Sequence, residues 1–483
     1  MYIMHRESRD NFSVNLFGLS REQIDIIFEK AIYLIKNVGV KVPHKGILDL
    51  LVDYNGVKIK DDVVYFGEDL VKKSVDNLKF IYPDYITPDN YFILGGAHEH
   101  TVYDIHSGKL RASNLEDLVN LTKLCDYLNV LGSAPVRPMD VPVYLQEILM
   151  YKISWENSRY KSSDIFEHNP KSTYESAKYI YEMAKVANKR FAINLWMISP
   201  RNFAHSDLEV VYRFKDKKVP MCVTTMPVAG VTAPIGFIGA YIQSLFELFA
   251  GLTLLNLVNP GGNNYCPPFD NVRAYYFDMK YGNFVYGSPE DIRGTIYQIN
   301  INNYFNIPTI AKSLLTTSKQ QDGQACFEKG VHTIVAMLLG VKGFTNAGLL
   351  SVDEIFSAEQ LVIDCEIVEY CKNILRSEVF SEDKLYIEDI INTGPHQTFM
   401  DKESTILNFK EYMWDPKLFI HENLGQWTDG GSKTLYERAN MVVKEILLKH
   451  KYELDPGIKK ELDKMYEIAV KDKKLEESFR IIK

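Results

Sequence analysis

Several things are scarce in this chain of 483 residues, and each scarcity closes a class of function. Cysteine is rare: Cys125, Cys222, Cys266, Cys326, Cys365 and Cys371 are scattered with no CxxC pair. That encodes neither a zinc ribbon nor a disulfide framework, and it suits a reducing cytoplasm. Positive charge is in deficit, 55 Lys and Arg against 63 Asp and Glu for a net charge of −8, with no basic stripe to bind nucleic acid. A clean membrane-length run is lacking too. The most apolar segment, 233–257, is interrupted by Gln243 and Glu247 and holds three glycines, so it reads as a buried helix. The start, MYIMHRESRDN, has no apolar h-region of a signal peptide. No GxGxxG, GxxxxGK[ST], GxSxG or HExxH occurs where its chemistry would need it, which removes phosphate cradles, nucleophile elbows and zincin helices.

What the chain has is 46% hydrophobic and 24% charged residues, enough for one large core with attachments. Residues 18–38, GLSREQIDIIFEKAIYLIKNV, open as a helix. Ser20 and Gln23 have capping-box spacing, Leu19 and Ile24 that of a hydrophobic staple, and Gly39 stops it. VKVPHKGILDLLVDYNGVKIKDDVVYF then reads as strand, helix and hairpin, and NYFILGGAHEHTVYDIHSGKLRASN as a second hairpin turning at HSGK. Residues 1–115 are thus expected to be an N-terminal α+β attachment. From 116 the rhythm changes. Short apolar runs at 129–135, 161–166, 190–196, 219–225, 264–268, 307–313 and 341–346 alternate with helical segments. This alternation predicts parallel βαβ units, and their number favours an α/β fold, a (β/α)8 TIM barrel over 116–400 whose eighth strand has no clear place. Residues 401–483 read as a C-terminal helical arm, with KKELDKMYEIAVKDKKLEES as a solvated amphipathic face.

In such a barrel the reactive groups gather where strands end. Those positions supply Asn194, Trp196 and Met197; Thr224, Thr225 and the uncharged loop MPVAGVTAPIG; and Asn264, Tyr265, Phe269, Asp270 and YYFDMKYG. They also supply Lys312, Gln321, Asp322 and Gln324, and finally Phe344 with Asn346. The set is rich in aromatic faces and holds no nucleophile beside a base. His98 and His100 of HEH, with His106, are expected on a solvated hairpin face rather than at a metal. Cys266 is expected to be an inert buried thiol. His332 sits among apolar helical positions as a core or interface histidine, with a role toward a substrate carboxylate left open. Aromatic walls of this kind suit an organic cation, which each ring holds by ~0.5–2 kcal/mol without needing a hydrogen bond.

TTMPVAGVTAPIG before a long helix, LVNPGG, YGSPE, DGQACFEKG, FTNAGLLS, AEQLVIDCEI and WTDGGSKTLYERA occur in one order between about residues 116 and 440. Together they resemble the trimethylamine:corrinoid methyltransferase family. No pyrrolysine is present, so the resemblance points to the branch without it, similar to the glycine betaine:corrinoid methyltransferases. It implies a barrel that demethylates a quaternary amine and hands the methyl group to Co(I) of a separate corrinoid protein, with no metal bound directly. Trp196, Tyr265, Phe269 and Phe344 are the implied aromatic walls, with Asn346 beside them. Asp322 and Gln324 match the family's pocket floor, and Lys312 or His332 is left to meet a substrate carboxylate. Val228, Gly230, Val231 and Thr232 of the apolar loop are the implied docking surface for the corrinoid protein, and a homo-oligomer is expected. The rival readings are a non-catalytic betaine-binding barrel and an unrelated barrel lyase or hydrolase.

Overall fold

The computed structural model describes residues 18–78, 90–96, 98–132, 134–159, 173–266, 271–378 and 380–480; the strand expected at 161–166 lies outside them. Helix Arg21–Asn37 starts as its sequence dictates. The Gln23 N–H donates to the Ser20 hydroxyl, and the Gln23 side chain accepts the Ser20 N–H at 2.9 Å. Its apolar stripe, Ile24, Ile27, Ala31 and Ile35, is buried against helix Phe237–Val258. Strand Val40–Lys41, helix Lys45–Leu51 and the antiparallel pair Val57–Lys60 and Val63–Phe66 follow in the expected order. Lys41 pairs in parallel with Asn202, which fastens this attachment to the body.

The body is a mixed α/β structure in which strands pair in parallel and helices cover them. Ile193–Ile198 runs beside Met221–Thr225 with Trp196 opposite Thr224, and Cys222 bridges in parallel to Tyr265. On another side, Ile310–Ala311 pairs with Gly343–Ala347. The helices Leu115–Tyr127, Val143–Asn157, Tyr174–Val186, His205–Phe214, Phe237–Val258, Pro289–Tyr304, Gly323–Leu338 and Ala358–Ile374 alternate with these segments. Phe237–Val258 is long and apolar enough to cross a membrane, and most of it is buried within the chain. Its apolar surface on every side is explained by neighbours on every side: the Met221 strand, the first helix and helix Glu68–Asp76.

Two expectations are corrected here. FILG was read as part of a hairpin, yet Phe92–Gly95 pairs in parallel with Gly343–Ala347, and Leu94 bridges in parallel to Leu131. The hairpin is shorter, Thr101–Tyr103 against Leu110–Ala112, and it does turn at HSGK. Gly343 makes the parallel pairing possible, because a Cβ there would stand 2.3 Å from the Phe92 ring. The second correction concerns the C-terminal tail. Pro456–Val470 and Lys473–Arg480 bury Leu462, Ala469 and Leu475, and they pack on helices Val143–Asn157 and Tyr174–Val186. The Lys152 ammonium meets Asp463 across this contact at 2.7 Å. One face is solvated and the other is core.

Candidate functional site

Trp196 owes its position to strand alternation. Ile193, Leu195 and Met197 are buried in the core shared with the helices, so Asn194 and Trp196 point to the opposite face. On that face the Thr224 hydroxyl donates to the Asn194 amide oxygen at 3.0 Å. The Trp196 indole nitrogen, near the C-terminal end of its strand, is shielded from solvent and has no hydrogen-bond partner. Asn346 ends the Gly343 strand in the same sense. The ladder shifts register between Phe344 and Ala347, Asn346 takes φ +72°, and its amide oxygen is likewise shielded and unpartnered. Buried polar atoms are nearly always paired, so an unpartnered donor and an unpartnered acceptor at strand ends make those ends candidates for ligand contact.

Lys312 follows strand Ile310–Ala311 at this same end. Its ammonium lies 5.2 Å from the Tyr275 ring centre, and the Arg273 guanidinium lies 5.3 Å from it. Tyr275 and Tyr286 meet edge to face at 6.0 Å, and Tyr286 stacks on Phe284 at 5.6 Å. Tyr275 and Phe284 belong to a small sheet that starts in the apolar loop, and Tyr286 follows its last strand. Val228–Ala229 pairs in parallel with Tyr275–Asp278, which pairs with Asn283–Phe284. The loop therefore has two halves. Val228 is 7% exposed, and its N–H donates to the Thr232 hydroxyl at 2.9 Å. Gly230 turns the chain at φ +85°, after which Val231 is 55% and Ile235 71% exposed. Of the four proposed docking residues, Val231 is exposed, Gly230 and Thr232 are half-buried, and Val228 is buried.

Other sequence-derived residues fall elsewhere. Tyr265 is buried with Ala192 and Cys222 beneath Arg190, whose guanidinium lies 5.6 Å from its ring centre. Pairing with Cys222 puts it three residues short of Thr225, ~10 Å down the strand from the end that carries Trp196's neighbours. Phe344 is fully buried in the helix-side core with Ile299, Ala336 and Met337, and stacks on Tyr91. Phe269 and Asp270 lie outside the described residues. Asp322 caps helix Gly323–Leu338, accepting the Ala325 N–H and the Ser318 hydroxyl at 2.9 Å each. Gln324 is exposed on that helix and donates to Glu328 at 2.8 Å, so DGQ shapes the loop by capping.

His332 belongs to a buried polar cluster between helices. Its Nε2 meets the Thr295 hydroxyl at 2.8 Å, its Nδ1 lies 3.8 Å from Asp291, and Arg273 donates to Asp291 at 2.5 Å. Burial pulls its pKa down to about 4, so at neutral pH it brings no positive charge. Cys266 is fully buried, and burial pushes its thiol well above the usual range.

Sequence reasoning missed His98 and Glu99. They follow the Phe92 strand, so they stand at the end that also carries Asn346. The His98 N–H donates to Ala134, the Arg137 N–H donates to Glu99, and Gly96 donates to Ala347. His98 takes φ +74° with both ring nitrogens shielded, and Glu99 is buried, which is no solvated hairpin face. His100 and His106 are exposed as expected, and the His100 pKa is lowered by partial burial and by Arg137. The signal was the apolar run FILG itself, which completes a parallel ladder. Among the described residues, no three His, Cys, Asp or Glu side chains gather as a metal site.

Parallel strand ends carrying an indole, a lysine over a tyrosine ring and shielded polar atoms, with no nucleophile beside a base among the described residues, are the candidate site for a small polar molecule. A family signature described as trimethylamine methyltransferase (MTTB) matches residues 9–474, and the chain belongs to that family of methyltransferases. It is 23% identical over 481 residues to the trimethylamine methyltransferase MttB of Methanosarcina thermophila, covering 93% of this chain and 96% of that one. It is also 21% identical over 462 residues to the glycine betaine methyltransferase of Desulfitobacterium hafniense (strain Y51), covering 92% and 94%. The crystal structure of the Methanosarcina barkeri monomethylamine methyltransferase (MtmB) aligns at TM-score 0.43 and 10% identity, over 89% of this chain and 87% of that one.

Proposed function

We propose that this enzyme demethylates a quaternary ammonium compound of the betaine type and passes the methyl group to Co(I) of a separate corrinoid protein. Family membership and likeness to both a trimethylamine and a glycine betaine methyltransferase support the reaction class. The parallel pairings support a (β/α)8 barrel that begins at Phe92 rather than at 116, with residues before it as the attachment and those after 375 as the arm. Six free cysteines suit a reducing cytoplasm.

The observation that carries the reading is Trp196. It offers an aromatic face at a strand end, where a quaternary ammonium is held without hydrogen bonds, and its unpartnered indole N–H can donate to a carboxylate. Lys312 stands at the same end and supplies the opposite charge to that carboxylate. The residues present fit a donor that arrives already cationic. When docked, the corrinoid supplies the nucleophile. The methyl C–N bond breaks, its electron pair stays on nitrogen, and the leaving group is a neutral tertiary amine that needs no proton. This chain contributes alignment and exclusion of water. Because positive charge fades as the bond breaks, a carboxylate touching nitrogen would hold the substrate more firmly than the transition state, whereas aromatic walls penalise the change less. Val231 and Ile235, exposed beside that mouth, form the proposed contact with the corrinoid protein, with Gly230 and Thr232 shaping it.

Trp196→Ala tests the reading. A desolvated cation–π contact of about 2 kcal/mol is worth roughly 30-fold in kcat/KM. The assay follows the spectral change of reduced corrinoid protein on adding trimethylglycine, with circular dichroism as the check on folding. Wild-type turnover in the folded variant overturns the cage.

A further inference from the structure

Helix Phe237–Val258 carries a single charged side chain, Glu247, and it is fully buried. The helix closes its own backbone hydrogen bonds and packs by apolar surface, so its fold asks for neither Glu247 nor Gln243 one turn earlier. A buried carboxylate is costly unless its oxygens are used, and these are used by other segments. One of them, Oε2, accepts the Ser199 hydroxyl at 2.6 Å. The other, Oε1, accepts the Arg201 N–H at 2.9 Å and the Gln243 amide at 3.0 Å. Gln243 in turn donates to the Thr232 carbonyl at 2.7 Å. Ser199 and Arg201 lie just past Trp196, in the turn that joins Ile193–Ile198 to Asn202–Phe203. Thr232 belongs to the apolar loop, where its hydroxyl also accepts the Val228 N–H. Two loops from different strands thus meet at one carboxylate.

We propose that Gln243 and Glu247 are positioning residues that couple the apolar docking loop to the turn after Trp196, so that corrinoid-protein docking and methyl-donor binding strengthen each other. The inference rests on the proposed reaction and adds a link between its two partners. Thr232 stands between Val231 and Ile235, which are exposed. A protein seated on those two side chains fixes the Thr232 carbonyl, and with it the Gln243 amide. That amide and the Arg201 N–H share Oε1, so a shift of one is felt by the other. Arg201 holds φ +61°, a left-handed conformation that a non-glycine residue keeps only where neighbours impose it. Those neighbours are Glu247 on its N–H and the Lys41 N–H, which donates to its carbonyl at 2.8 Å. Loosening the Glu247 bond frees the turn, and the strand end that carries Trp196 loosens with it. In-line transfer needs the methyl carbon aligned and water excluded, which a site that tightens as its acceptor docks provides. The coupling is reciprocal by thermodynamic necessity: each partner tightens the other by the same factor.

Calorimetry on the full chain tests this, with trimethylglycine as the donor and the corrinoid protein held as Co(II) so that no methyl group moves. The corrinoid protein is expected to tighten trimethylglycine about tenfold, within the ~5–150-fold span of such couplings. Gln243→Leu cuts the link to Thr232 and leaves Ser199 and Arg201 on Glu247. In that variant each partner alone is expected to bind within about twofold of wild type, and the coupling factor to fall to about one. A merely structural role would weaken both partners and leave the factor unchanged. Hydrogen exchange gives a readout free of the methyl donor. Corrinoid protein should protect 228–235 and, beyond its own contact, 199–204 in the wild type, but 228–235 alone in Gln243→Leu. Glu247→Gln leaves one donor facing an amide group and should lose the distant protection too, which serves if the first variant misfolds. Wild-type binding of both partners without coupling, or coupling kept in the folded variants, overturns the inference and leaves the proposed reaction standing. A wild type that binds neither trimethylglycine nor the corrinoid protein refutes that reaction, and the inference with it.

Discussion

Asp364→Asn is expected to damage stability and activity together, and the structure says by how much. Lys329 and Asp364 are both fully buried and face each other across helices Gly323–Leu338 and Ala358–Ile374. The ammonium donates to the two carboxylate oxygens at 3.1 and 2.8 Å and to the Leu349 carbonyl at 2.9 Å. Asp364 also accepts the Gly348 N–H and the Gln360 side chain, each at 2.7 Å. Burial pushes each member toward its neutral form, and their mutual attraction opposes this. Removing the negative charge leaves an uncompensated ammonium in the core, a loss of ~3–5 kcal/mol. Activity should fall as well, because the pair grips the loop that follows the Gly343 strand. That loop holds left-handed φ values at Asn346, Gly348, Ser351 and Val352, of +72°, +87°, +51° and +72°. Such non-glycine conformations cost ~1–3 kcal/mol each and persist only when neighbours impose them. Here the neighbours are Asp364 on Gly348, Lys329 on Leu349, and the Val352 N–H on Thr316 at 2.8 Å. The assay pairs urea unfolding with the methyl-transfer rate. A control separates the two effects: Lys329→Met with Asp364→Leu should regain most of the stability, since it removes both charges. It should remain slow, since the Gly348 N–H then has no acceptor. A single variant within ~1 kcal/mol of wild type, or a double variant with full activity, refutes the reasoning.

Stability should also depend on pH through His332. Its folded pKa, about 4, lies below its ordinary 6.5, so the unfolded chain binds the extra proton first. The contribution is intact above pH 6.5 and is lost progressively as pH falls toward 4, by about 3 kcal/mol in all. Urea titrations of wild type and His332→Gln across that window should show a shallower slope in the variant; equal slopes would mean the imidazole is not held neutral. Two substitutions in the apolar loop should part company. Val231→Asp places a charge on an exposed position and should weaken corrinoid-protein binding with little change in thermal midpoint. Val228→Asp buries a charge in the small sheet and should lower the midpoint instead. Weakened binding with an unshifted midpoint in both would show that the two halves of the loop are not distinct.

How much of this was legible depends on the range of the interaction. The first helix was readable to its cap, because Ser20 and Gln23 bond within one turn. The repeating strand and helix segments were readable from periodicity, and Trp196 from its place at a strand end. FILG was misassigned because a four-residue apolar run looks the same in a hairpin as in a parallel ladder. Only Gly343, 251 positions after Phe92, makes room for its ring and settles the difference. His98 and Glu99 were lost with that strand. Tyr265 and Phe344 failed for a related reason, since composition marks an aromatic residue near a strand end but not its depth or its face. His332 was read correctly as a core histidine on its helix, while the Asp291 and Arg273 that accompany it come from segments 41 and 59 residues earlier.

By itself, then, the amino-acid order determined what short-range chemistry controls: caps, turns, strand-and-helix rhythm, the aromatic character of the strand ends and the family motifs. Tertiary structure alone decided which strand joins Phe92 to Gly343, which strand-end rings are buried against the helices, and which half of MPVAGVTAPIG meets solvent. Those outcomes are set by packing between residues hundreds of positions apart, where a missing Cβ at one end and a phenyl ring at the other select the register. No local pattern carries that information.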